Sequence, residues 1–208
     1  MMKRGFFLFA AAIVGACIGV ASALLMSGLW STKKPMEFGE IHVNGWVSDF
    51  AVGSNEASPY VRARVARHGL LALAKSEAVY FVRGKDDDGA RLSSTCTYRL
   101  SGEDMPARWW SITLYNVADS KLPLNDDDAL SVDATSVVRA DGTASGAWEA
   151  IIAPEQPADA SNWISSRGSD GFDLLLRLYV PETALLNEPT QALSPPTLER
   201  MSCQGDEP

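Results

Sequence analysis

The sequence predicts a mainly β fold: an antiparallel β-sandwich with one amphipathic helix, set behind an N-terminal transmembrane helix. Three observations carry this. Several runs alternate apolar and polar residues with period two, and Asx, Gly and Pro turns separate them at intervals of roughly 8 to 15 residues. Only one stretch after the leader has a helical period, too few helices for parallel βαβ units. Residues 5–30 form an uncharged run of 26 residues.

At the helical rise this first run spans roughly 39 Å, enough to cross a hydrocarbon core about 30 Å thick. Residues 41–52 contain Ile41, Val43, Trp46 and Val47 with Gly45 between, the pattern of one strand or of two short strands joined by a turn. Ser58 can cap a helix and Pro59 suits its first position. Val61, Val65 and Leu71 then give an apolar face to a helix from 59 to about 76, weakened by Gly69. After it the period changes to two. Residues 78–83 read as a strand, and Asp88-Gly89 in the following turn is a hairpin signal leading into 92–100. There Leu92, Ser94, Cys96, Tyr98 and Leu100 share one face. Residues 108–115 put Trp110, Ile112 and Leu114 on one face and Trp109, Ser111, Thr113 and Tyr115 on the other. Shorter strands are expected near 130–138 and 147–152. Residues 172–180 form the most hydrophobic strand, stopped by Pro181.

Charge orients the leader. Lys3 and Arg4 precede the apolar run and Lys33 and Lys34 follow it, so positive-inside counting alone is a tie. The chain carries a net charge of −8, and setting Lys3 and Arg4 aside leaves −10 on the rest. A leader of four residues on one side and so acidic a body on the other predict a single-pass protein of the bacterial inner membrane, N-terminus cytoplasmic and body periplasmic. Two further readings of the leader stay open. Ala21-Ser22-Ala23 resembles a signal-peptide cleavage site, and Val14-Gly15-Ala16-Cys17 resembles a lipobox that would lipidate Cys17. All three readings export the residues from Ser31 onward. Ala11, Gly15, Gly19, Ala23 and Ser27 recur every four residues, and such a face suits homo-oligomerisation through Gly15, Gly19 and Ala23.

The composition excludes several chemistries. An acidic body repels phosphate backbones, which argues against nucleic-acid partners. Two histidines, His42 and His68, and three cysteines are too few for a His/Cys zinc site at usual spacings. There is no Gly-x-Ser-x-Gly elbow. Asp86-Asp87-Asp88-Gly89 and Asn125-Asp126-Asp127-Asp128 are acidic clusters, but an EF-hand counted from Asp86 meets Thr97 where a bidentate Glu is required. Turn chemistry and a solvated loop account for them, so no metal, cofactor or catalytic residue is assigned. An oxidising compartment favours pairing of exported thiols. With Cys17 in the membrane, Cys96 and Cys203 are the remaining candidates for a disulfide.

One feature points to a ligand. Arg177 lies inside the apolar run 172–180 and must pair with a carboxylate on the outer sheet face, reach solvent or line a partly polar cavity. Period two places Asp173, Arg177 and Tyr179 on one face of their strand, while Thr113 and Tyr115 offer hydroxyls from another. If those strands are neighbours, the five side chains converge on an anionic or hydroxylated ligand and border a pocket.

Several stretches resemble the domain-of-unknown-function 1214 family of mostly bacterial proteins. They are Gly45-Trp46, Pro59-Tyr60-Val61-Arg62-Ala63, Ala78-Val79-Tyr80-Phe81, residues 86–89, residues 106–115, Asn162-Trp163 and residues 172–181. The Trp-Ser-Ile-Thr-Leu-Tyr and Leu-Arg-Leu-Tyr-Val-Pro strands are the most specific. The resemblance implies a jelly-roll type sandwich over about 40–200 and no established activity. Larger members carry a second domain, numbered 1254, where this chain has its apolar leader. The organisation expected is an anchor at 1–30, a tether at 31–39, the sandwich at 40–200 and a tail at 201–208. Its function is expected to be non-catalytic binding of a ligand or partner in the envelope. An envelope hydrolase acting on a sugar or ester, and a structural assembly factor, are the alternatives.

Overall fold

The computed structural model describes residues 2–27, 41–54, 57–67, 73–139 and 142–204; the expected tether and His68 lie outside the described residues. Helix α1 (Met2–Met26) opens the chain. Its stretch Gly5–Met26 has a mean hydropathy of 2.4 and none of it is buried, so it is long and apolar enough for a membrane anchor or a signal sequence. Strands β1 (Ile41–Val43) and β2 (Trp46–Ser48) form a hairpin. Asn44 and Gly45 turn it with φ of 45° and 81°, the two left-handed positions of a type I′ turn. Helix α2 (Pro59–Arg67) is capped by Ser58, whose Oγ accepts the Val61 N–H at 3.3 Å. It is shorter than the expected 59–76: residues 68–72 lie outside the described residues and 75–77 form a turn.

The rest is β3 (Ala78–Arg83), β4 (Cys96–Gly102), β5 (Ala107–Asn116), β6 (Ser131–Asp133), β7 (Trp148–Ala153), β8 (Trp163–Ser165), β9 (Phe172–Pro181), the short helices α3 (Thr183–Asn187) and α4 (Pro189–Ala192), and β10 (Thr197–Cys203). They make a six-stranded sheet, β1-β2-β3-β9-β5-β6, and a four-stranded sheet, β10-β4-β7-β8. The alternation read from the sequence decides what lies between them. Phe81, Ile112, Leu114, Leu174 and Leu176 from the first sheet meet Tyr98, Leu100, Ile152, Ile164 and Leu198 from the second in one buried core. Trp110 stacks on Trp148 at 4.8 Å and Tyr98 meets Phe172 edge-on at 5.8 Å, both across the two sheets. The two-sheet β fold expected from the period-two runs is therefore present.

Three local details differ from the sequence reading. The Asp88-Gly89 turn forms, with the Gly89 N–H donated to the Asp86 carbonyl at 3.1 Å, yet β3 and β4 belong to different sheets. Pairing across the turn stops at a Lys85–Arg91 bridge. The polar groups of the turn go to β10 instead: the Asp87 N–H donates to the Leu198 carbonyl at 2.9 Å and the Asp87 carboxylate accepts the Leu198 N–H at 2.9 Å. Beyond the turn, Cys96, Tyr98 and Leu100 can be buried only by crossing to the facing sheet. Second, the small sheet is not wholly antiparallel, because β8 runs parallel to β7. Third, β10 continues through Met201–Cys203, where a tail was expected, since Cys203 pairs directly with Cys96 on β4. The expected disulfide joins these two residues, with their Cα atoms 3.9 Å apart.

Candidate functional site

Strands β5 and β9 are antiparallel neighbours over almost their whole length, with Ser111 opposite Arg177, Trp109 opposite Tyr179 and Tyr115 opposite Asp173. Strand β3 flanks β9 on the other side and sets Tyr80 opposite Arg177. Their outward positions make one face. Its floor is Leu175 and Val82, both buried, with Tyr80 and Tyr115 packed against them. On this floor the Arg177 Nη1 donates to the Thr113 hydroxyl at 3.2 Å and Nη2 donates to the Tyr115 hydroxyl at 2.6 Å, its guanidinium 5.5 Å from the centre of the Tyr115 ring. Among the described residues no carboxylate lies within ion-pairing distance of Arg177. It is a half-buried cation held by neutral groups.

Of the five residues expected to converge, Arg177, Thr113 and Tyr115 do so directly. Tyr179 lies on the same face and packs its ring against Trp109 at 5.3 Å. Asp173 does not join them. It is buried at the far end of the face, 3.7 Å from the Arg91 guanidinium, so its charge is matched there. Sequence reading left two participants out. Trp109 was legible on the polar face of its strand, and its Nε1 donates to the Thr135 hydroxyl at 2.9 Å. The turn holding Thr135 is built by Asp133, whose carboxylate accepts the Thr135 N–H at 2.7 Å, the Ser136 N–H at 3.0 Å and the Ser136 hydroxyl at 2.8 Å. Burial pushes the Asp133 carboxyl up, but these hydrogen bonds outweigh it and hold the group below the ordinary carboxylate range. Tyr80 depends on the β3–β9 pairing, a contact between residues about 100 apart that no local pattern announces. Its hydroxyl accepts the Leu73 N–H at 3.2 Å.

A cleft lies on the other sheet. A space of about 550 Å³ opens on the outer side of the four-stranded sheet, lined by Arg99, Arg139, Glu149, Ile151, Asn162 and Met201 among others. The Arg177 face does not border this space, because the two lie on opposite sheets. Both arginines of the cleft are paired with carboxylates. Arg99 reaches Glu149 at 3.3 Å and Glu199 at 3.2 Å, and Arg139 reaches Asp104 at 2.7 Å. The acidic clusters are likewise structural. Arg167 binds both Asp126 and Asp127, holding both carboxyls below their usual range, and the Ser165 hydroxyl donates to Asp127 at 2.5 Å. Among the described residues no group of three or more His, Cys, Asp or Glu side chains is placed to hold a metal ion. His42 is exposed on β1.

The sequence profile described as "Protein of unknown function (DUF1214)" matches residues 77–183, just over half of the chain. The chain belongs to the DUF1214 family. The matched DUF1214 segment runs from the residue before β3 into α3 and so contains the whole β3–β9–β5 face. The VPA0106 protein from Vibrio parahaemolyticus has a similar structure, with a TM-score of 0.57 at 17% identity over 92% of this chain and 44% of that one. The chain thus spans less than half the length of that structure, and the likeness shows the fold alone. A structure of an uncharacterized protein from Burkholderia cenocepacia aligns over 64% of this chain and 31% of its own, with 19% identity and a TM-score of 0.39. No curated protein matches this DUF1214 chain.

Proposed function

We propose that this DUF1214 protein is tethered to the bacterial inner membrane by α1, with its N-terminus in the cytoplasm and its sandwich in the periplasm. There it acts as a non-catalytic binding module whose β3–β9–β5 face takes a small anionic or hydroxylated ligand. The observation that carries the binding role is Arg177, a half-buried guanidinium that meets two hydroxyls and no carboxylate among the described residues. A cation whose role was only to hold the sheets together would sit against a counter-charge, as Arg83, Arg139 and Arg167 do. The disulfide suits an oxidising compartment, and the length and hydropathy of α1 suit a spanning helix. Self-association through Gly15, Gly19 and Ala23 belongs to the same reading, since these small residues fall on one face of α1.

The test has two arms. After fractionation the full chain should stay in the membrane pellet through an alkaline carbonate wash, and a C-terminal reporter should be active only in the periplasm. Substituting Arg177→Met should abolish anion binding while lowering stability by about 2 kcal/mol, because two hydrogen bonds to neutral hydroxyls and the contact with the Tyr115 ring are lost but no ion pair is broken. A loss of about 3–5 kcal/mol would mark Arg177 as part of a buried ion pair and refute the binding role.

A further inference from the structure

We infer that the ligand of this face is an acidic sugar, a hexuronate unit whose carboxylate is gripped by Arg177 and whose ring lies on Trp109 and Tyr179; this rests on the binding role proposed above. The argument begins with what surrounds the cation. An inorganic anion needs only donors, yet the register places a Trp–Tyr pair immediately along the strands from Arg177. Tyr179 is two residues away on β9, about 7 Å along the strand, which a single pyranose with a carboxylate can bridge. Aromatic faces bind the C–H side of such rings, while a planar guanidinium matches a carboxylate in a two-bonded fork. Arg177 has the donors for this: among the described residues, only one N–H on Nη1 and one on Nη2, of its five N–H groups, are engaged.

The aromatic part is held in place beforehand. The indole of Trp109 is tied by its Nε1 to Thr135, and Thr135 is positioned by the Asp133 turn. An aromatic side chain fixed at its edge can present its ring without losing rotamer freedom on binding. The Trp109 and Tyr179 rings meet at 57°, so they form an open angled platform and not a parallel slot for a flat base. The hydroxyls of Thr113, Tyr115 and Tyr179 supply donors and acceptors for ring hydroxyls. Charge selects the acidic form: on a chain of net charge −8, an arginine with no carboxylate at ion-pairing distance among the described residues is a local exception that favours an anion. The cleft on the opposite sheet lacks this feature, because Arg99 lies between two glutamates.

The full-length protein in detergent micelles would be titrated calorimetrically with digalacturonate, the neutral galactose disaccharide, inorganic phosphate and adenosine monophosphate. Digalacturonate should bind, and the neutral disaccharide should bind at least about tenfold more weakly, the worth of a charge-assisted hydrogen bond. Trp109→Ala and Arg177→Gln should each weaken digalacturonate by about tenfold or more, and Arg177→Lys should not restore it because the fork is lost. If Trp109→Ala fails to fold, Thr135→Val leaves the indole in place without its anchor and should weaken binding severalfold. Equal binding of acidic and neutral sugars, tighter binding of the nucleotide, or digalacturonate binding insensitive to Trp109 and Thr135 would overturn the inference. If phosphate binds through Arg177 and digalacturonate does not, the sugar assignment falls and the anion-binding role stands. If none of the four binds, both fall.

Discussion

Replacing Arg83 with methionine would test how this sandwich is held at the open end of its large sheet. Arg83 ends β3 with its side chain 1% exposed. Its Nε donates to the Lys85 carbonyl at 2.8 Å, Nη1 to the Asn44 and Pro196 carbonyls at 3.1 and 3.2 Å, and Nη2 to the Asp87 carboxylate at 2.5 Å. One residue therefore ties together the β1–β2 turn, the turn after β3 and the approach to β10. The guanidinium also lies 6.0 Å from the Trp46 ring centre, and the Trp46 indole donates to the same Pro196 carbonyl at 2.8 Å. Breaking a buried ion pair from one side costs about 3–5 kcal/mol. Two features lower the figure here. The Asp87 side chain is 45% exposed and regains water, and Pro196 keeps its bond from Trp46. A loss of about 3 kcal/mol follows, and Arg83→Lys should recover only part of it, because an ammonium cannot reproduce the fork. The assay is urea denaturation followed by tryptophan fluorescence, with Trp46 as a reporter beside the substitution. A loss below about 1 kcal/mol at unchanged denaturant slope would refute the reasoning, because these segments would then hold without the arginine.

Two other outcomes are expected. Removing the Cys96–Cys203 bridge by a double Cys→Ala substitution should cost up to about 4.8 kcal/mol, the chain-entropy value for residues 107 apart. β10 should nevertheless stay docked through Leu198 and Asp87; two extra free thiols in the denatured, unreduced wild type would show that the bridge does not form. Acid should destabilise the protein through Asp126 and Asp127, whose carboxyls Arg167 holds below their usual range. A depressed folded-state pKa contributes stability above the unfolded value of about 3.9 and loses it as pH falls through the lower folded value. The melting temperature should therefore drop below about pH 4, and less steeply in Asp127→Asn; an unchanged acid limb would count against the Arg167 contacts.

What could be read locally was read from period and turn chemistry. The alternation in 108–115 and 172–180 placed Trp110, Ile112, Leu174 and Leu176 inward and Trp109, Thr113, Tyr115 and Arg177 outward, as the structure has them. Gly45 lies in the turn between two short strands, and Ser58-Pro59 act as the cap that their conformational preferences demand. The strands left unread were those without alternation: β8 has three residues and β10 is interrupted by a register shift at Arg200–Ser202. Asp173 was placed on the right face of its strand, but its partner Arg91 comes from a segment more than 80 residues away.

The sequence by itself determined the apolar N-terminal helix, the β class, which face of each long strand turns inward and the residues that carry the family likeness. These follow from backbone sterics and from the exclusion of apolar side chains from water, which act within a few residues. Only the tertiary structure decided that β9 lies between β3 and β5, that the turn after β3 serves β10, and that Arg177 meets hydroxyls while Asp173 meets Arg91. Those outcomes depend on pairings between strands tens of residues apart. Many registers would satisfy the same alternation, and the choice among them is made by how the two inner faces fill one core.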